Sequence, residues 1–206
     1  MTRPTTIYLV RHAESRPSAE VREPDWPLSE RGREQARALV AAMQGLGIDA
    51  IYSSPYPRAA HTVAPLAAAL GKPLGIVEAL RERVLTRRNL GRDEYWPTIE
   101  RYWGDRDFAL PDGESNRACA RRMVQAIDAL AARHPGETIA LASHGNALAL
   151  YLGSLDPSFG YAQWRAMRNP DLFRVVYEAG RASWDGASLP TCDETLAAAR
   201  EGRFAR

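Results

Sequence analysis

The chain has 206 residues, 45% of them apolar and 25% charged, the composition of a folded protein able to bury one sizeable core. A formal net charge of +2 excludes a surface built as a whole for nucleic acid or an anionic membrane. No apolar run reaches the roughly 18 residues of a membrane span, and no charged lead-in precedes an apolar stretch at the N-terminus, so the expected compartment is the cytoplasm.

Residues 7–10 are four apolar residues without a polar interruption, which reads as a strand buried on both faces of a parallel sheet. The run breaks into Arg11, His12, Ala13, Glu14 and Ser15. A loop with Pro17, Pro24 and Pro27 follows. Ser29 reads as a helix N-cap with Glu30 in the first turn, and Ala36, Leu39, Val40, Met43 and Leu46 make one helical face that Gly45 and Gly47 end. Residues 50–54 read as a short strand. Pro57 opens a second helix running to about Leu70 and stopping at Gly71, with Pro65 expected to kink or restart it. Residues 75–77 read as another short strand. Residues 81–112 are polar and aromatic, an expected lid or binding loop with helix around 94–103.

A long helix is expected over 114–134, with Met123, Ile127 and Leu130 on its buried face and Pro135-Gly136 ending it. Residues 138–142 read as a second buried strand, breaking into Ser143, His144, Gly145 and Asn146, with a helix over 147–155. A last strand is read at 172–177. The tail, 179–206, holds an expected turn at Trp184-Asp185-Gly186 and a capping box, Thr191 with Glu194, opening an alanine-rich helix. Cys119 and Cys192 make neither a metal-site spacing nor a disulfide framework and read as free buried thiols. Strands alternating with helices imply α/β: a three-layer α/β/α sandwich on a mostly parallel mixed sheet, in one domain over 1–206.

Two strands therefore end alike, one in Arg11-His12 and one in Ser143-His144, and in a parallel sheet both histidines emerge at the same edge, where ligands bind. A third strand leads through Ser53 and Ser54 to Arg58 at a helix start, and helix N-termini and arginine forks both favour anions. Lys72 is the only lysine, so nearly all positive charge is arginine. Two histidines and two arginines without clustered carboxylates suit a phosphate. They do not suit a metal, because H-x-x-x-H and H-E-x-x-H spacings and cysteine ligands are absent.

With these pieces in place the chain resembles the histidine phosphatase superfamily, the phosphoglycerate mutase-like proteins. L-V-R-H-A-E-S at 9–15 is similar to the family signature, and L-S-E-R-G-R-E-Q-A at 28–36 to the helix after it. S-S-P-Y-P-R-A-A-H-T at 53–62 is similar to the second arginine motif, and L-R-E-R at 80–83 to the glutamate segment. P-D-G-E-S at 111–115 and A-S-H-G at 142–145 complete the family order over a core of 5–178. The resemblance implies a phosphoglycerate mutase-like fold and a metal-independent phosphatase with no cofactor, acting on a small-molecule phosphate ester. It makes His12 the nucleophile that becomes a phosphohistidine, Glu82 the acid for the leaving oxygen with Glu94 a weaker rival, and Arg11, Arg58, His12 and His144 the phosphate pocket.

Ser18, which stands where the mutase branch has asparagine, and Asn146 are the candidate substrate contacts; Ser53 and Ser54 are candidate hydrogen-bonding neighbours, and His61 and His134 read as surface residues. The short segment between Glu82 and His144 favours the phosphatase branch over a phosphoglycerate-type mutase. A phosphoprotein phosphatase meeting acidic surfaces through 81–92, or a non-catalytic phosphate-binding module, are the other readings. A homodimer is left open.

Overall fold

The computed structural model describes residues 3–18, 20–88 and 90–189. The capping box at 191–194 and Cys192 lie outside these residues. Six strands, β1 (Thr5–Arg11), β2 (Ala50–Ser53), β3 (Leu74–Ile76), β4 (Thr138–Ser143), β5 (Asp171–Glu178) and β6 (Arg181–Ser188), form one sheet in the order β3-β2-β4-β1-β5-β6. The first four are mutually parallel, and β5 and β6 join antiparallel. The six α-helices described are α1 (Glu30–Met43), α2 (Pro57–Ala69), α3 (Arg92–Gly104), α4 (Asn116–Arg133), α5 (Gly145–Leu155) and α6 (Tyr161–Ala166). The mixed, mostly parallel sheet in an α/β fold is as the sequence predicts. Among the described residues no helix is long and apolar enough to cross a membrane.

The strand period of two sorts the core into two layers. Ile7 and Leu9 of β1 and Ile139 and Leu141 of β4 face one way and pack with Cys119, Met123 and Ile127 of α4 and Leu148 and Leu152 of α5. Tyr8 and Val10, with Ala140 and Ala142, face the other way against Leu39 and Met43 of α1 and Val63 and Leu66 of α2. β1 and β4 run in register from Thr6 opposite Thr138 to Arg11 opposite Ser143, so their carboxyl ends coincide.

Local signals mostly act as expected. Ser29 Oγ accepts the Gly32 N–H at 2.9 Å, and Ser115 Oγ caps α4 by accepting the Ala118 N–H. Gly47 closes the turn after α1 in the left-handed region, with φ 66°.

Four expectations change. α2 runs unbroken through Pro65; the proline leaves the His61 carbonyl without its helical partner, but His61 is exposed, where water satisfies such a group. Trp184-Asp185-Gly186, expected as a turn in the tail, is part of a strand. It lies inside β6, where pairing jumps from Val175 opposite Trp184 to Phe173 opposite Ser188 and Gly186 has φ 81°. The tail expected from 179 therefore begins later, because residues 181–188 belong to the sheet. The 81–112 segment is more than a cover: α3 is anchored by Ile99 and Tyr102, 1% and 0% exposed, with the Tyr102 hydroxyl donating to the Leu85 carbonyl and accepting the Leu110 N–H. The short helix α6, which no sequence signal marks, is held by Trp164 packing on Trp103 and Tyr161.

Gly32 gives a prediction of unexpected sign. Alanine in an exposed helix stabilises by about 1 kcal/mol over glycine. Here a Cβ would sit 2.0 Å from the Glu14 carbonyl oxygen, which is backbone and has nowhere to go. Overpacking of this kind costs ~1–3 kcal/mol. Gly32→Ala is expected to lower the thermal midpoint by several degrees in a melting experiment and to displace the chain two residues from His12.

Candidate active site

The same alternation carries past the strand ends and places the chemistry. Arg11 continues the α4–α5 side, and His12 the α1–α2 side. Beside them Ser143 and His144 follow the same order. The two imidazoles meet with ring centroids 5.2 Å apart, inclined by 60°, and are 8% and 0% exposed. The structure thus brings together His12, His144, Arg11 and Arg58, and adds Glu82.

One hydrogen bond fixes the tautomer of His12. His12 Nδ1 lies 2.7 Å from the Ala13 carbonyl, which can only accept, so Nδ1 carries the proton and Nε2 keeps its lone pair. The loop is pinned from several sides: Thr62 Oγ1 accepts the Ala13 N–H, Asn169 Nδ2 donates to the His12 carbonyl, and Gln35 bridges the Glu14 N–H and the Asn169 carbonyl. His144 Nε2 is 2.7 Å from Ser54 Oγ, which also accepts the Tyr56 N–H. His144 Nδ1 is buried and has no protein partner.

Burial is the main reason the His12 pKa is low, about 3, helped by the charges of Arg58 and Arg11 and opposed by the Ala13 hydrogen bond. Burial likewise pulls His144 well below its ordinary value, with Arg58, His12 and Arg11 adding to it. Both rings are neutral at physiological pH. A prediction follows from linkage. Between the unfolded value near 6.5 and the folded value of about 3, only the unfolded chain binds a proton at His12. The stabilising contribution of the neutral ring is complete above pH ~6.5 and declines as pH falls toward ~3. Denaturant titrations across that range should show wild type losing stability relative to His12→Gln as the solution is acidified.

Arg11 is threaded between helices. Its Nη1 donates to the Met167 carbonyl at 2.7 Å, while Nε is buried without a protein partner. A Cβ on Gly145 would lie 3.3 Å from its guanidinium carbon, so a glycine there lets the helix start close on the arginine. Arg58, 3% exposed, donates through Nη1 to the Glu23 carbonyl at 2.7 Å and through Nη2 to the Glu23 carboxylate. Its guanidinium lies 5.0 Å from the Tyr56 ring centroid and 6.0 Å from that of Trp26.

Glu82 is seated on the N-terminus of α5. Its Oε1 accepts the Arg83 and Ala147 N–H groups at 2.8 and 2.9 Å, and its Oε2 the Asn146 N–H at 3.1 Å. The Ser143 hydroxyl, donating to the Leu80 carbonyl at 2.7 Å, ties the glutamate segment to the end of β4. The rival Glu94 is engaged elsewhere, on both terminal nitrogens of the exposed Arg88.

The remaining candidates divide. Ser54 joins the site through His144, whereas the Ser53 hydroxyl donates to the Ser54 carbonyl. Asn146 touches Glu82 through its backbone, and its side-chain oxygen is buried without a partner. Ser18 Oγ accepts the Glu20 N–H within its own loop, and its carbonyl accepts from Trp26 Nε1. His61 is exposed, as expected. His134 is not a free surface residue: its ring bridges the Tyr52 hydroxyl at 2.8 Å and Glu137 at 2.6 Å. Cys119 is free and buried, its thiol pushed up to about 12 chiefly by burial. Among the described residues no group of three or more His, Cys, Asp or Glu side chains is placed to hold a metal ion.

Sequence reasoning missed Glu23 and Asn169, which carry no local signature, and gave no role to Gln35, although it lies in the stretch at 28–36 that resembles the family. Thr62 was within reach, since it stands one helical turn after Arg58.

Comparison with known proteins shows the family. Residues 7–188 match the family model of the histidine phosphatase superfamily (branch 1). A Cronobacter sakazakii protein named "Probable phosphoglycerate mutase GpmB" is 33% identical over 183 residues, covering 84% of this chain and 85% of that one. A phosphoglycerate mutase from Bacillus anthracis superposes with a TM-score of 0.78 at 19% identity, over 95% of this chain and 96% of that one. A mycobacterial glucosyl-3-phosphoglycerate phosphatase gives 0.72 at 22% identity, over 89% of this chain and 98% of that one. These two structures speak to the fold.

Proposed function

Because the chain belongs to the histidine phosphatase superfamily, we propose that it is a metal-independent phosphomonoesterase that hydrolyses a small phosphate ester through a phosphohistidine on His12. One observation carries the reading: His12 keeps an unprotonated Nε2 on a ring 5.2 Å from that of His144, next in the chain to Arg11, whose Nε is buried without a protein partner. A donor of that kind, held in place before substrate arrives, is what a transferring phosphoryl group requires.

In the proposed cycle His12 Nε2 attacks phosphorus as the ester P–O bond breaks. Arg11, Arg58 and His144 hold the three equatorial oxygens. Glu82 gives its proton to the departing alkoxide through Oε2, whose two bonds, from the Asn146 N–H at 3.1 Å and its side-chain amide at 3.5 Å, are longer than the two on Oε1. Glu82 then takes a proton from the water that attacks the phosphohistidine, which restores the imidazole and releases orthophosphate.

Incubation with a panel of phosphomonoesters in EDTA, followed by acid and alkali treatment of the trapped protein, tests this. Turnover should persist in EDTA, and the adduct should survive alkali and be lost in acid. Loss of turnover in EDTA, or an adduct stable in acid, would overturn the reading.

The name of the Cronobacter relative favours a second reading, a phosphoglycerate mutase using the same phosphohistidine. Isomerisation of 3-phosphoglycerate without phosphate release would establish it; the short segment between Glu82 and His144 favours hydrolysis.

Glu82→Gln separates the chemistry of the acid from simple binding. Turnover of an alkyl phosphate, whose leaving group needs the proton, is expected to fall by about 100-fold or more. p-Nitrophenyl phosphate should lose far less, and equal losses on both would count against the acid role.

A further inference from the structure

Glu23 places a carboxylate on the arginine that phosphate binding needs, and the proposed cycle gives that carboxylate nothing to do. Both terminal nitrogens of Arg58 are engaged by this one residue, Nη1 by its carbonyl at 2.7 Å and Nη2 by its carboxylate. The Arg58 side chain is 3% exposed and that of Glu23 46%, so the carboxylate is the more open member of the pair. Arg58 does not depend on it for position. The faces of Tyr56 and Trp26 and the Glu23 backbone carbonyl already hold the guanidinium. Glu23 is also close enough to Glu82 for the two acids to repel: burial is the largest influence raising the Glu23 pKa, and Glu82 adds to it, while Arg58 works against both.

We propose that Glu23 is a resident counter-anion on Arg58, which the phosphoryl group must share or displace, and that it sets how tightly the site holds phosphate. The inference rests on the phosphoryl site proposed above. A dianion reaching Arg58 meets a second negative charge on the same guanidinium, and like charges at such range disfavour one another. Orthophosphate has only the phosphoryl contacts, so it feels the full effect, whereas an ester keeps the contacts of its leaving group. Glu23 therefore favours product release and weakens product inhibition.

Calorimetric titration of orthophosphate into the full chain, and into Glu23→Gln, tests this. Glutamine keeps the size of the side chain and still accepts from Arg58, so only the charge is removed. Phosphate is expected to bind about tenfold more tightly, or better, to the variant at neutral pH, a modest share of the repulsion between two charges in one partly buried site. Its inhibition constant against turnover should fall by the same factor. Unchanged or weaker binding overturns the proposal, because a residue that merely positions Arg58 gives that sign when altered. Glu23→Ala adds a second arm: tighter binding again supports the counter-anion, and weaker binding supports positioning. Absence of phosphate binding to wild type and both variants would bring down the phosphoryl-site reading itself, an outcome distinct from the other two.

Discussion

His12→Ala is expected to lower kcat/KM by about 10,000-fold or more while leaving orthophosphate binding within a few-fold of wild type. The split follows from how the site is built. On the proposed cycle, removing the imidazole removes the atom that bonds to phosphorus, and His144 Nε2 does not replace it, being occupied by Ser54. The groups proposed to hold the phosphoryl oxygens stay: Arg11 is fixed by the Met167 carbonyl, Arg58 by its aromatic neighbours and His144 by Ser54. A pre-steady-state burst of alcohol product should vanish, with no adduct trapped. If binding were lost in parallel with rate, His12 would be acting as a phosphate ligand rather than as the nucleophile. The alanine should also fold, because the surrounding loop is held through backbone groups, by Thr62 on the Ala13 N–H and by Asn169 on the His12 carbonyl.

Arg58→Ala is expected to cost about 100- to 1,000-fold in kcat/KM, the scale seen when one oriented donor to a developing charge is deleted. Arg58→Lys should recover only part of this, because one ammonium cannot reproduce the fork that here spans the Glu23 backbone and side chain. Stability should change little. Removing one partner of a buried ion pair usually leaves an expensive unpaired charge, but the Glu23 side chain is 46% exposed and is solvated once released. A melting curve within a few degrees of wild type, together with the rate loss, supports a phosphoryl contact. A large drop in the melting temperature with a small rate loss would assign Arg58 a structural role instead.

The parts of this site that the sequence discloses are those carried by short contiguous stretches. Arg11-His12 and Ser143-His144 each follow a buried apolar run, and Arg58 follows a strand end and a helix-opening proline, so each is placed by a rule acting over a few residues. What the sequence hides is set by distant contacts. Gln35 reaches across to the Asn169 carbonyl, and Asn169 to that of His12. Neither residue type is unusual at its place in the chain. Glu23 sits in a proline-broken loop whose course no periodicity describes, and only the fold brings it to Arg58. Pro65 misleads for a related reason. The cost of a proline inside a helix depends on whether the freed carbonyl faces water, which is a property of the packed molecule. α6 is six residues long and depends on Trp103 from another helix, so its own sequence has no pattern to show.

The register of β1 and β4 has a consequence for how this protein can diverge. His12 and His144 each follow the last residues of a ladder in which Arg11 stands opposite Ser143, and their ring centroids lie 5.2 Å apart, close to the ~4.8 Å at which neighbouring strands run. The separation of the two imidazoles follows the backbone ladder, and Ser54 on His144 and Asn169 on the His12 carbonyl hold the rings at it. On the proposed function the two histidines form the reacting end, and a change in the loop before α1 or in the segment leading into α3 leaves the β1–β4 ladder that carries them untouched. Descendants of such a chain change what they act on far more readily than how they act.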